Sequence, residues 1–191
     1  MIRQYGRLGK RESLMPASLA PHPMTVDEML DKAALEQLNF TYCHAVDRQD
    51  YALVRSLYHD DATDDHGPMF RGSADGYVAW LPTILSKWQL SAHRLTNMLF
   101  LVDGDAAEGE VCFTAYHRHR DGEREWVAHG RYLDRYAKRD GIWRYAHRTV
   151  VLDWNEKRAS VPRPTDGTLL GAPDANDPIY AQLPMFAGQR A

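Results

Sequence analysis

Four side chains of this 191-residue sequence have types and positions suited to moving a proton: Tyr42, Asp47, His93 and Arg148. An imidazole titrates near neutral pH, so it can accept a proton from a substrate and release it again. A carboxylate beside it fixes the ring tautomer and stabilises the imidazolium that forms. A phenol can donate a hydrogen bond or a proton to a leaving oxygen. A guanidinium carries a permanent charge that stabilises a departing anion. Each of these residues also has a plain structural role open to it. Asp47, in Asp47-Arg48-Gln49-Asp50, also reads as a solvated helix end, and His93 is one of nine histidines. Arg148 suits a salt bridge to Asp134 or Glu110 across a sheet. The combination of Asp47 with His93 carries more weight than either residue alone.

The surrounding sequence predicts the elements that must position them. Thr25 followed by Glu28 makes a capping box. Apolar residues then recur at Met29, Ala33, Leu35, Leu38, Tyr42, Ala45 and Val46, the period of an amphipathic helix of about five turns. Five residues of helix separate Tyr42 from Asp47, which splays the two side chains by about 140° on an ideal helix. They converge on one site only if Asp47 lies where the chain leaves the helix. Asp50 caps a short second helix carrying Leu53, Val54 and Leu57, which ends before the polar cluster at 60–65. A third helix starts at Ser73 and carries Tyr77, Trp80, Leu81, Ile84, Leu85 and Trp88, with Pro82 inside it.

From Ser91 onward the period drops to about two, predicting strands at 91–102, 107–119, 126–138 and 142–154, divided by Asp-Gly hairpin signals. Alternation places His93, Leu95 and Asn97 on one face. A further short strand near 69–71 could extend the sheet. Helices followed by an antiparallel meander predict an α+β fold. The expected form is a curved, cone-shaped, mostly antiparallel sheet wrapped by three N-terminal helices around one apolar pocket. Residues 25–154 form this domain, between extensions at 1–24 and 155–191. The second extension offers Leu169, Leu170, Ile179, Tyr180 and Leu183 for docking.

Composition narrows the function classes. The formal charge is −3, and no basic block suggests a nucleic-acid partner. No apolar run reaches membrane-span length, and the basic residues near the start precede no apolar segment, so a cytoplasmic location is the expectation. Cys43 and Cys112 form no CxxC pair and read as small buried side chains. His117, His119, His129 and His147 match no metal-ligand spacing, and there is no phosphate-binding glycine loop or Gly-x-Ser-x-Gly elbow, so neither metal nor organic cofactor is expected. The aromatic residues, Tyr116, Tyr132 and Trp143 among them, read singly as core. Those on the concave face of a cone must line whatever space remains. The candidate substrate-binding residues are therefore Tyr58, Trp80, Trp88, Asn97, Phe113, His117 and His129.

The Tyr42-x4-Asp47 step, the His93-x3-Asn97 strand opening, and the run Arg131-Tyr132-Leu133-Asp134-Arg135-Tyr136 with Asp140-Gly141-x-Trp143 and Arg148 resemble the SnoaL-like branch of the nuclear transport factor 2-like superfamily. The resemblance covers about 25–154. It implies the cone fold and extends to the superfamily's small lyases: bile acid 7α-dehydratase, hexachlorocyclohexane dehydrochlorinase and, more loosely, scytalone dehydratase. In those families an Asp–His dyad abstracts a proton while a tyrosine or arginine assists the leaving group. That implies catalytic roles for Tyr42, Asp47, His93 and Arg148. Scytalone dehydratase has a second pocket histidine, for which this chain offers His117 or His129. Lignin-directed γ-formaldehyde lyases are also similar. The implied reaction is a cofactor-independent elimination, dehydration or retro-aldol cleavage of a hydrophobic cyclic or aromatic small molecule. The alternatives are a ketosteroid-isomerase-like isomerase and a non-catalytic association subunit resembling the small subunit of ring-hydroxylating dioxygenases. The resemblance also implies a homo-oligomer, trimer or dimer.

Overall fold

The structure, a computed structural model, describes residues 18–190. Its elements run α1 (Val26–Asp47), α2 (Tyr51–Ser56), β1 (Tyr58–Asp65), β2 (Arg71–Ser73), α3 (Ala74–Leu85), β3 (Trp88–Asp103), β4 (Ala106–His119), β5 (Arg124–Arg139), β6 (Ile142–Ala159), α4 (Pro178–Gln182) and α5 (Pro184–Ala187). The six strands form one open sheet in the order β2-β1-β6-β5-β4-β3. The β3–β6 meander is antiparallel, whereas β1 runs parallel to β6. The architecture is α+β, with a mixed sheet that does not close into a barrel.

α1 begins as its cap residue dictates: the Thr25 hydroxyl accepts from the Glu28 N–H at 3.2 Å. The reciprocal half of the capping box is absent as an expected pairing, because the Glu28 carboxylate is drawn to Lys32 at 2.9 Å and His22 at 3.1 Å. The buried face of α1 (Leu35, Leu38, Asn39, Tyr42, Cys43 and Val46) packs on β3 and β6. The helix ends sharply. Gln49 takes a left-handed φ of 51°, and the Asp50 N–H reaches back to the Ala45 carbonyl at 2.8 Å. Asp47 is thus the last helical residue, where the divergence from Tyr42 expected of a regular helix can relax.

Two departures from the sequence reading concern the sheet. The polar cluster at 60–65, which the sequence pattern assigns to no element, is part of β1. Asp60 and Asp61 are exposed where the register of β1 shifts, and alternation beyond them buries Ala62 and Asp64, whose carboxylate is satisfied by neighbouring side chains. The short strand near 69–71 lies at Arg71–Ser73 and pairs antiparallel with β1. Register shifts in β3 between Leu95 and Met98, and between β5 and β6 at His129/Gly130, bend the sheet around the core. At Gly130 a Cβ would meet the Val151 carbonyl and the Phe113 ring, so this close approach admits only glycine.

Among the terminal segments, 18–24 has no regular secondary structure, and the remainder of the 1–24 extension lies outside the described residues. β6 runs on to Ala159, and the chain then folds back over the end of α1. Asp177 caps α4 and pairs with Arg48 at 3.1 Å, while Arg190 donates to the Arg48 carbonyl at 3.1 Å. Among the described residues, no helix is long and apolar enough to cross a membrane.

Candidate functional site

The concave face of the sheet and α3 enclose a cavity of about 140 Å³. Its walls are mostly apolar and aromatic: Val46, Tyr77, Trp80, Leu81, Trp88, Phe113, Trp126 and Tyr132. A dry apolar cavity of about 150 Å³ accommodates a benzene ring, so this space suits one ring of a substrate. His93 lines the cavity from β3, and Asp47 stands behind it at the end of α1. The His93 ring donates Nδ1–H to Asp47 Oδ1 at 2.6 Å, and the His93 backbone N–H donates to Oδ2 at 2.8 Å. One carboxylate therefore holds residue 93 at two points, and both side chains are about nine-tenths buried. With Nδ1 committed, Nε2 is the ring nitrogen left for a molecule in the cavity, and it carries the lone pair of a base.

Tyr42 also lines the cavity, and its hydroxyl bonds the Tyr77 hydroxyl at 2.5 Å. Burial pushes the Tyr42 phenol well above its usual range, with the Arg148 charge opposing, so it stays neutral and can donate. Cys43, next to it in sequence, is pushed up to about 12 by burial and by the Asp47 charge, which rules out a thiolate nucleophile there. Another histidine, His117, packs against Trp88 (5.0 Å) and Trp126 (5.6 Å), which also touch each other, and bonds the Ser91 hydroxyl at 2.9 Å. Burial, aided by the neighbouring His93, pushes it down to about 3, so His117 is neutral at ordinary pH. It meets the His93 ring edge-on at 5.5 Å.

Of the residues predicted from sequence, Tyr42, His93, Trp80, Trp88, Phe113 and His117 share this cavity, with Asp47 one step behind. The others do not reach it. Asn97 is exposed because the β3 irregularity between Leu95 and Met98 breaks the alternation that put it on the face of His93. His129 lies on the far face of the sheet, stacked on Trp154 at 3.8 Å and bonded to Thr114. Tyr58 is fully buried behind the wall.

Arg148 is also beneath the wall rather than on it. Its Nε and one terminal nitrogen each donate to Asp134 at 2.7 Å, and that nitrogen also donates to Asn39 and Tyr145. The guanidinium carbon sits 3.9 Å from the Tyr132 ring centre and 4.2 Å from that of Tyr42. Contact with a leaving group is therefore corrected to the other role considered, an ion pair with Asp134, because the rings of Tyr42 and Tyr132 cover the charge. A separate open depression of about 420 Å³ on the outer sheet face, bordered by Leu99, Leu101 and Leu133, contains none of the candidate catalytic residues.

Sequence reasoning missed a second pair. His66, just beyond β1, lines the same cavity and donates Nδ1–H to Asp64 Oδ1 at 2.5 Å. The readable signal was the Asp-x-His spacing, since residues two apart on an extended chain share a face.

Comparison with known proteins gives the family and the fold. A family model described as a SnoaL-like domain matches residues 27–149. The uncharacterized protein Rv2910c of Mycobacterium tuberculosis (strain ATCC 25618 / H37Rv) is 31% identical over 104 residues, 52% of this chain and 69% of that protein. Among solved structures, a proposed scytalone dehydratase from Novosphingobium aromaticivorans DSM 12444 superposes with a TM-score of 0.65 at 23% identity, covering 73% of this chain and 97% of the other. The hexachlorocyclohexane dehydrochlorinase LinA-type3 from Novosphingobium barchaimii LL02 gives 0.67 at 19% identity, covering 73% and 99%. At these identities the structural likenesses establish the fold alone.

Proposed function

This chain belongs to the SnoaL-like domain family, and on that premise we propose that it is a cofactor-independent lyase acting on a hydrophobic cyclic or aromatic small molecule. His93 Nε2 removes a proton from the substrate, while Asp47 holds the ring tautomer and stabilises the imidazolium. Tyr42 donates a hydrogen bond to the substrate oxygen. The bond broken is C–O, C–halogen, or C–C with loss of formaldehyde. The observation that carries this reading is the 2.6 Å contact between a buried carboxylate and an imidazole on the wall of an apolar cavity. Carbon acids yield a proton to a positioned base far more readily where water does not compete, and general-base catalysis contributes about 10²–10⁴-fold.

The test is turnover of aryl ketones bearing a β-leaving group, followed by loss of that group. Wild-type protein is expected to release it, and His93→Gln is expected to be inactive at unchanged stability. Equal turnover by both proteins would remove His93 from the chemistry.

One observation favours an isomerase as the second reading: the neutral Tyr42–Tyr77 hydroxyl pair could hold an enolate oxygen while His93 returns its proton to another carbon. Product analysis separates the two, since isomerisation releases nothing. An association subunit would have no use for an open cavity walled by a histidine dyad, which favours the enzyme readings. We also infer a homo-oligomer, dimer or trimer, joined through the outer sheet face where Leu99 and Leu133 are exposed. Light scattering reads this directly, and a monomer would refute it.

A further inference from the structure

We propose that His66 is a second catalytic residue, the general acid that protonates the leaving oxygen while His93 acts as base. This rests on the lyase reading above.

The cavity holds two Asp–His pairs, and they reach it from well-separated parts of the sheet. His93 belongs to β3, the edge strand at one end. His66 follows β1, which is separated from β3 by β6, β5 and β4. Both rings line the cavity, and both commit Nδ1 to a carboxylate, at 2.6 Å for His93 and 2.5 Å for His66. A ligand in this cavity therefore meets an imidazole from each pair, as an elimination can use when one atom loses a proton and its neighbour's leaving group gains one.

The surroundings of the two rings differ in a way that assigns the roles. The face of His66 stacks on Tyr77 at 5.0 Å and 19°, with Trp80 5.9 Å away. An imidazolium there meets the negative face of Tyr77 as well as the Asp64 carboxylate, whose side chain is wholly buried. Asp64 is itself fixed by the Tyr58 hydroxyl at 2.8 Å. Among the described residues no aromatic ring stacks on the face of His93, and His117 meets it edge-on. The stacked ring and the buried carboxylate thus suit His66 to the donor's part, and His93, held by Asp47 alone, to the acceptor's. Backbone bonds hold the acid in place. The His66 N–H donates to the Phe70 carbonyl at 2.8 Å, and its own carbonyl accepts from Met69. Tyr42 is less suited to give up a proton outright, because its hydroxyl is tied to Tyr77.

The step balances. His93 Nε2 takes the proton on the carbon next to the carbonyl, and that C–H electron pair becomes the new C=C bond. The β-carbon–oxygen bond breaks, and the departing oxygen takes the Nε2 proton of His66 and leaves as water. His93 ends protonated and His66 neutral, and exchange with solvent restores both.

A hydroxyl group needs that acid and a chloride does not, so matched probes isolate it. β-Hydroxypropiophenone and β-chloropropiophenone lose water and HCl respectively to give the same enone. For His66→Gln, kcat on the hydroxy probe is expected to fall on the order of a hundredfold, with the chloro probe little changed above its uncatalysed rate. Asp64→Asn should show the same selectivity, and retained chloro turnover reports an intact fold in either variant. Equal losses on both probes, or no loss on the hydroxy probe, would overturn the assignment of His66 alone. Wild-type inactivity on both probes, or indifference of both to His93→Gln, would instead overturn the lyase reading.

Discussion

Asp134–Arg148 and Asp47–His93 are both carboxylate–base pairs withdrawn from water, and they differ in what each leaves over. Arg148 is permanently charged and fully buried, donates to Asp134, Asn39 and Tyr145, and is covered by the rings of Tyr42, Tyr132 and Tyr145. Its other terminal nitrogen is buried without a hydrogen-bond partner, but the residue is not among those lining the cavity. His93 spends one nitrogen on Asp47 and offers the other to a space where a ring would fit. The comparison teaches that burial and pairing do not by themselves mark a catalytic group. A titratable atom left unspent and facing a cavity does.

That difference can be broken from either side. The largest effect is expected at His93: His93→Gln should cost about 10²–10⁴-fold in kcat with the urea midpoint nearly unchanged. Asp47→Asn should approach the same loss, since an amide no longer holds the ring tautomer or balances the imidazolium. At Arg148 the pattern should invert. Arg148→Met strands a buried Asp134 and is expected to destabilise the fold by about 3–5 kcal/mol, with turnover per folded molecule largely kept. Adding Asp134→Leu should recover part of that stability. Complete loss of turnover in folded Arg148→Met protein would bring the guanidinium back into the chemistry.

His117 sharpens the comparison with a smaller effect, as a buried base with no carboxylate partner. Its proton affinity falls from the ordinary 6.5 to about 3 on folding. Below 6.5 the unfolded chain binds a proton that the folded protein refuses until about 3. Stability due to this site is therefore present above 6.5 and lost as pH falls through that window, at a slope of up to about 1.4 kcal/mol per pH unit. Urea midpoints measured across the window should fall less steeply in His117→Gln than in wild type. Parallel curves would mean that His117 is hydrated in solution.

Much of the fold was legible because its signals are local. The hairpins at Gly122 and Gly141 sit where Asp-Gly pairs supply positive φ, and at the second of these Asp140 takes a φ of 52° as well. The cap at Thr25 and the apolar stripe of α1 located the helix that carries Tyr42 and Asp47. β1 was hidden because its sequence, Tyr58–Asp65, holds four aspartates and only two strongly apolar positions. Its place in the sheet depends on a partner brought in by tertiary structure, namely β6, with which it pairs in parallel. Asn97 failed for the opposite reason: its local alternation was regular, and a bulge invisible in the sequence turned it outward. For Arg148 the sequence supplied both roles, and only the positions of the three surrounding rings decide between them.

The central claim is that His93 abstracts a proton from carbon, and hydrogen–deuterium exchange at the α-carbon of propiophenone tests it without a leaving group. In D₂O, wild-type protein and His66→Gln should both speed exchange above background, as followed by proton NMR, while His93→Gln should not. Exchange that persists undiminished in His93→Gln would contradict the account.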